Sequence, residues 1–186
     1  MVELLRKRQC ENATVGVTCI FCDYNDQQNQ TAINLLSSLV QQLLQQTPTL
    51  PEDIRSVYAD HKKKGTRLGL DECVRILQSV TCLFTEVSVV LDALDECARD
   101  IAGKFIKPLL QLENVCILVT SRPNSPNLGR HFDSYPSLEV YASAHDVRRY
   151  LEARIKEESE LADLVDEYQD LYGRIVTTIE QKSGGM

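Results

Sequence analysis

Three short apolar runs, rich in β-branched residues, dominate the pattern of hydrophobic and polar positions along the chain. They span Thr14 to Cys22, Val87 to Leu91 and Val115 to Thr120, and each is nearly continuous rather than alternating. A continuous apolar run is typical of a strand covered on both faces, as in a parallel sheet. A weaker fourth run, Ser137 to Tyr141, predicts another strand.

Helical patterns separate these runs. One helix is predicted within the glutamine-rich stretch Gln27 to Gln46, whose glutamines we assign mostly to its polar face. Pro51 begins a second helix, Asp71 caps a third, and Ile101 to Leu112 forms a fourth that is interrupted near its proline. Strands that alternate with helices predict an α/β fold with a mainly parallel sheet flanked by helices.

The pattern changes after Tyr141. Ser143 is followed three residues later by Asp146, which is a signature of a helix start, and apolar positions then recur at helical spacing as far as Ile179. We therefore predict an α/β core over residues 1–142 and the beginning of a small helical domain over residues 143–186.

Charge and composition disfavour several classes of function. The 186 residues carry a net charge of −7, whereas a sequence-independent nucleic-acid binder needs a basic surface, so we expect no nucleic-acid partner. The one basic cluster, His61 to Lys64, is interpreted as a solvated loop beside Gly65. The sequence contains no apolar run of about 18 residues, so we expect no membrane partner.

The seven cysteines are an odd number, and no signal peptide precedes them. Together these features indicate reduced thiols and a cytoplasmic location. Cys19 and Cys22 form the one C-x-x-C, but they lie in a predicted strand, where residues three apart point to opposite faces. We interpret them as apolar thiols rather than as zinc ligands.

Acidic residues follow the second apolar run. The run ends at Asp92, and Asp95 and Glu96 come next in Asp92-Ala93-Leu94-Asp95-Glu96. A carboxylate at the carboxyl end of a parallel strand points into the ligand crevice, where Asp92 could hold Mg²⁺ directly or through water. Glu96 lies one turn further on, within reach of a water attacking a terminal phosphate. Taken alone, three acids in a solvated loop explain this pattern equally well.

An arginine follows the third apolar run, in Thr120-Ser121-Arg122-Pro123. Arg122 would face the same crevice as Asp92, and a guanidinium there can meet a γ-phosphate with two hydrogen bonds. The plainer alternative is a surface arginine in a proline-bounded turn.

The two motifs together resemble the NACHT family of signal-transducing P-loop NTPases. The nearest form is the nephrocystin-type N-terminal domain of large fungal NOD-like, repeat-containing proteins, which the stretch Phe21 to Tyr24 and the final Ser183-Gly184-Gly185-Met186 also resemble. The resemblance implies that Asp92 is the Walker B acid that holds Mg²⁺, and that Glu96 is the hydrolytic base, supported by Asp95. It also implies that Arg122, with Thr120 and Ser121, contacts the γ-phosphate of ATP or GTP.

One element that this family requires is missing from the sequence. No Walker A loop, G-x-x-x-x-G-K-[ST], occurs in it. Relatives place this loop before a helix whose end Leu4 to Gln9 resembles, so we expect the chain to begin just after the loop. Because the loop amides and lysine supply most of the grip on phosphate, we expect the chain alone to bind no nucleotide and to be inactive.

The leading interpretation is therefore a fragment of a nucleotide-dependent signalling switch, whose protein partners or self-assembly would act through flanking domains. The alternative is a degenerate, non-catalytic module that only makes protein contacts. A helicase motor is a third reading, since Asp95 to Ala98 resembles a D-E-C-H box, but Asp95 comes three residues after the end of the apolar run.

The resemblance also predicts an exposed sheet edge. The strand that leads into the phosphate loop should pair beside the Val115 to Thr120 strand. Without it, that strand is left at a flat, apolar and uncharged edge, which favours aggregation or loose folding of the isolated chain.

Overall fold

The computed structural model describes residues 2–12, 14–123 and 131–183. The chain divides into two compact units, Met1–Tyr135 and Pro136–Met186. The first unit holds a parallel sheet flanked by helices, so the predicted α/β class is confirmed. The Ser183-to-Met186 motif lies mostly outside the described residues. The boundary we placed at residue 142 stays a prediction.

The sheet of the first unit contains three parallel strands in the order β1-β2-β3. They are β1 (Val15–Phe21), β2 (Glu86–Asp92) and β3 (Val115–Val119). All three coincide closely with the apolar runs. The register places Phe21 opposite Asp92 and Leu91 opposite Val119, so the carboxyl ends of the strands meet at one edge.

Helices cover the sheet and connect its strands. They are α1 (Val2–Glu11), α2 (Ala32–Leu44), α3 (Glu52–Lys64), α4 (Leu70–Thr81) and α5 (Arg99–Leu109). Single 3₁₀ turns lie at Tyr24–Asp26 and Leu94–Glu96. The core lies between the sheet and the helices, where Leu36, Leu39, Leu43, Val80, Phe105 and Ile106 are fully buried.

Two glutamine side chains, one in α2 and one just after its end, form hydrogen bonds with the free edge of β1. The Gln46 side chain accepts from the amide of Val17 at 2.9 Å and donates to its carbonyl at 2.6 Å. Gln42 does the same for Cys19, at 2.9 and 2.8 Å. Each amide therefore replaces the hydrogen bonds of a neighbouring strand, and a free edge is the part of a sheet that most needs such cover. These two glutamines do more than form the polar helix face that we predicted.

The opposite edge of the sheet is β3, as predicted. Its residues alternate between half-buried and exposed, and Leu118 is 40% exposed. Val115, Ile117 and Val119 pack against the core, while Cys116 and Leu118 lie on the other face. The expectation that all three strands are covered on both faces is therefore wrong for β3, because no described element of the first unit covers its outer face.

The second unit consists of α6 (Ala144–Glu157), α7 (Ser159–Glu167) and α8 (Gln169–Ser183). Ser143 and Asp146 form a reciprocal capping box at the start of α6, as predicted. Leu151, Ile155 and Val176 are its buried apolar side chains among the described residues. None of the described helices is both long and apolar enough to span a bilayer.

Three local expectations are wrong. Ser137 to Tyr141 forms no strand, and Leu138 is 87% exposed, because an apolar run becomes a strand only where another strand supplies hydrogen bonds. His61 to Lys64 is the last turn of α3 rather than a loop. The left-handed Gly65 ends this helix, and cations suit its negative end. Asp71 lies in the first turn of α4, whose N-cap is Gly69.

Candidate functional site

Asp92 and Thr120 meet at the carboxyl edge of the sheet. Asp92 is the last residue of β2, and Thr120 directly follows the neighbouring β3. The Thr120 hydroxyl donates to Oδ1 of Asp92 at 2.6 Å. The amide of Thr120 also donates to the carbonyl of Leu91 at 2.9 Å, which continues the strand ladder and fixes the position of the hydroxyl.

A strained turn carries the next two acids. Ala93 has φ 52° and ψ 44°, in the left-handed region that side chains other than glycine rarely adopt. The turn is held by hydrogen bonds from the Ala93 amide to Thr120 Oγ1 at 2.9 Å and from the Leu94 amide to the Thr120 carbonyl at 3.0 Å. The Leu94 side chain is buried in the core. Strain of about 1–3 kcal/mol is typical of functional sites, where the surroundings enforce it.

The turn brings Asp95 and Glu96 against Arg122. The backbone amide of Arg122 donates to Asp95 Oδ1 at 3.2 Å. The Nε atom of the Arg122 side chain lies 3.6 Å from Asp95 Oδ2. A terminal guanidinium nitrogen donates to Glu96 Oε1 at 2.8 Å. The arginine side chain is 76% exposed, whereas those of Asp95 and Glu96 are 12% and 23% exposed. The acids are therefore fixed beneath an arginine that reaches into solvent.

The other carboxylate oxygen of Glu96 faces the end of β1. The amide of Tyr24 donates to Oε2 at 3.0 Å, and the side chain of Gln27 donates to the Glu96 carbonyl at 3.0 Å. Both carboxylate oxygens thus accept a hydrogen bond. Each carboxylate oxygen can accept a second hydrogen bond, so a water that Glu96 was to activate could bind beside Arg122 or replace it.

The structure brings together five of the six residues that the sequence singled out: Asp92, Asp95, Glu96, Thr120 and Arg122. Ser121 is exposed, and its hydroxyl donates to the carbonyl of Arg122 at 3.2 Å instead of to an acid. The roles of these residues stay predictions.

The donor set at Asp92 suits a hard cation. Carboxylate and hydroxyl oxygens are ligands that Mg²⁺ accepts, and Asp92 and Thr120 present both kinds side by side. Within the described ranges, no group of three or more His, Cys, Asp or Glu residues is arranged to hold a metal ion. Mg²⁺ usually combines one or two protein carboxylates with water and substrate phosphates, so a two-residue site fits it only alongside a phosphate ligand.

Sequence reasoning missed four members of this region. Gln27 and the Tyr24 amide hold Glu96, and Cys22 lies beside Cys97 under the same turn. The sequence did contain a signal that could have predicted the contact between the two cysteines. Both closely follow parallel strands that are neighbours, and the carboxyl ends of such strands meet at one edge. We considered Cys22 only with Cys19, its neighbour in sequence.

Fold and site define an α/β protein with a parallel sheet whose carboxyl edge gathers three acids, a hydroxyl and an arginine. The sequence matches the family model Nephrocystin 3, N-terminal, over residues 1–122. The chain therefore belongs to this family, and the matched segment contains every residue of the candidate site. No curated protein and no solved structure matches the chain.

Proposed function

We propose that the chain is part of a nucleotide-dependent signalling switch that binds ATP or GTP with Mg²⁺. The observation that carries the proposal is the convergence of two hydrogen-bonded groups at the carboxyl edge of a parallel sheet, Asp92 with Thr120 and Arg122 with Asp95 and Glu96. Ligands of open α/β sheets bind at this edge. The phosphate-binding loop would come from a segment outside the 186 residues, since they contain no Walker A motif.

In this proposal Asp92 and Thr120 hold Mg²⁺, which would neutralise charge on the phosphates. Arg122 binds the terminal phosphate, and Glu96 orients the attacking water. The Arg122 side chain is 76% exposed, whereas its partners Asp95 and Glu96 are 12% and 23% exposed, so each ion pair is open to solvent on the arginine side only. A triphosphate could draw the guanidinium away from Glu96, because the phosphate would replace the carboxylate as its anionic partner.

That exchange would couple binding to catalysis. When Arg122 turns to the phosphate, Oε1 of Glu96 loses its guanidinium donor, which would leave both of its lone pairs open to a water molecule. Glu96 would still be held at Oε2 by the Tyr24 amide, so its position would survive the exchange. The same arginine would thus sense the nucleotide and uncover the base.

The test compares the 186-residue chain with a longer form that includes the segment encoded upstream of Met1. Calorimetry with Mg·ATP and Mg·GTP should show no binding tighter than millimolar for the short chain and micromolar binding for the long one. An upstream segment without a phosphate loop, or a long form that binds neither nucleotide, would favour the alternative of a protein-contact module.

Substitutions in the long form separate the three roles. Asp92→Asn should weaken Mg²⁺-dependent binding, Glu96→Gln should keep binding and slow hydrolysis about 10²-fold or more, and Arg122→Ala should reduce the preference for triphosphate over diphosphate. Glu113→Gln is the matched control, because this exposed acid precedes β3 at the opposite end of the sheet. Equal effects of all three changes on binding and turnover would contradict these assignments.

A further inference from the structure

Two cysteines far apart in sequence share one buried position under the candidate site. Cys22 directly follows β1, and Cys97 directly follows the 3₁₀ turn that ends at Glu96. Their sulfur atoms are 3.1 Å apart, and each residue is only 7% exposed. This distance is already within hydrogen-bonding range for two thiols.

Backbone hydrogen bonds hold both residues in this position. The amide of Cys22 donates to the carbonyl of Asp92 at 3.0 Å, which continues the β1–β2 ladder by one residue. The amide of Cys97 donates to the Leu94 carbonyl at 3.2 Å and closes the turn. The Cys97 sulfur also lies 3.5 Å from Oε1 of Gln30. The pair is thus fixed by the same elements that position Glu96.

The surroundings distinguish the two thiols chemically. The hydrogen bond with Cys22 lowers the pKa of Cys97, although burial opposes this. The same hydrogen bond raises the pKa of Cys22, with further contributions from burial and from the charges of Cys97, Glu96 and Asp92. The contact between the two sulfurs therefore favours the thiolate on Cys97 over the thiolate on Cys22.

The other cysteines of the chain have different environments. Cys73 is buried, but it lies 3.1 Å from the hydroxyl of Ser37. Cys10, Cys82 and Cys116 are exposed. Among the residues that the structure describes, Cys22 and Cys97 are the one pair of thiols in contact with each other.

We propose that Cys22 and Cys97 form a redox-active thiol pair, which hydrogen peroxide oxidises to a disulfide that ties the turn carrying Glu96 to the end of β1. The sulfurs have to approach by only about 1 Å to reach the bond length of about 2.05 Å. Peroxide is close to water in size, so a local opening of the backbone around the pair is enough to admit it.

The reaction balances with peroxide as the oxidant. The Cys97 thiolate attacks one peroxide oxygen, the O–O bond breaks, and the departing hydroxide takes up a proton and leaves as water. Cys97 is then a sulfenic acid. The Cys22 sulfur attacks the Cys97 sulfur, the S–O bond breaks, and a second water leaves with the Cys22 proton. Two thiols and one peroxide thus give one disulfide and two waters.

The bond would change the candidate site without touching its side chains. It would join the start of the Tyr24 turn, whose amide holds Glu96, to the residue that follows Glu96. The turn from Ala93 to Glu96 could then open less often, so its amide hydrogens should exchange more slowly in the oxidised protein. This consequence concerns the shape of the turn and does not depend on nucleotide binding.

The test uses the purified full chain. It is treated with hydrogen peroxide, quenched, denatured, alkylated and digested without reduction for mass spectrometry. The expected main product is a cross-link between the Cys22 and Cys97 peptides that disappears on reduction, while Cys73 is recovered alkylated. The proposal is overturned if Cys22 and Cys97 are recovered alkylated to the same extent as Cys73, or if the principal cross-links involve Cys10, Cys82 or Cys116.

Variants then test the direction of the reaction. Cys22→Ser should trap Cys97 as a sulfenic acid that reacts with a dimedone probe, whereas Cys97→Ser should leave Cys22 unlabelled. Cys116→Ser is the control, because this exposed thiol should not alter the cross-link. Equal dimedone labelling of both variants would overturn the assignment of Cys97 as the attacking thiol. The cross-link is measured in the unmodified chain, so poor folding of a variant would not affect that result.

Discussion

Oγ1 of Thr120 lies 2.6 Å from Oδ1 of Asp92 and joins the ends of two neighbouring strands. The same hydroxyl accepts from the amide of Ala93, the residue with left-handed backbone geometry. One side chain therefore fixes both the metal-binding candidate and the turn that carries Asp95 and Glu96. The candidate site is built around this hydroxyl, although it is the least conspicuous of the polar groups in the sequence.

Replacing Thr120 tests this role directly. Thr120→Val keeps the shape of the side chain but removes the acceptor of the Ala93 amide, so we expect a loss of about 0.5–1.5 kcal/mol in the free energy of unfolding. Thr120→Ser retains the hydroxyl and should lose less. Urea unfolding gives the measurement. Ser121→Ala is the control and should change stability by no more than about 0.5 kcal/mol. A Thr120→Val variant as stable as the parent would show that the hydroxyl does not hold the turn.

The glutamine cover of β1 makes a second prediction. Gln46→Ala removes the partners of both Val17 backbone groups and should destabilise the protein by about 1–3 kcal/mol, because part-buried backbone groups lose their hydrogen bonds. Gln41→Ala changes an exposed glutamine in α2 and should be nearly neutral. Denaturant midpoints compare the two variants. Similar midpoints for the two variants would mean that water replaces the Gln46 amide at the Val17 backbone without any loss of stability.

Two glycines of the first unit should respond to alanine with opposite signs. A Cβ on Gly16 would lie 3.0 Å from a methyl group of Leu43 and 3.1 Å from the ring of Phe84, so Gly16→Ala should cost about 1–3 kcal/mol. Gly103 lies within α5, where the new methyl would meet His131 at an ordinary 3.7 Å, and Gly103→Ala should stabilise the helix by about 0.5–1 kcal/mol. Melting temperatures that shift in the same direction would contradict this account.

The exposed edge of the sheet predicts self-association. Leu118 is 40% exposed on the outer face of β3, so Leu118→Lys should reduce association strongly, because charge is the usual protection of sheet edges. Leu138→Lys removes a more exposed leucine that lies outside any strand and should have little effect. Light scattering over a concentration series measures both. A parent chain that stays monomeric at every concentration would show that β3 does not mediate self-association.

The sequence by itself determined the positions of the strands, because continuous β-branched runs favour extended backbone. It did not determine how many faces of each strand are covered, as the exposed face of β3 shows. It also determined the helix from Ser143, whose capping box is a local interaction, and the acids and arginine at the strand ends. It failed at Ser137 to Tyr141, where an apolar run has no strand to pair with.

Only the tertiary structure decided which of these groups meet. The contact between Cys22 and Cys97 spans 75 positions, and that between Tyr24 and Glu96 spans 72. Such contacts depend on the order of strands in the sheet, which hydrophobic pattern does not specify. The contacts of Gln42 and Gln46 with the edge of β1 were likewise decided by the tertiary structure. Helical spacing shows that the two glutamines share a face of the helix, but it does not show which strand lies beneath that face.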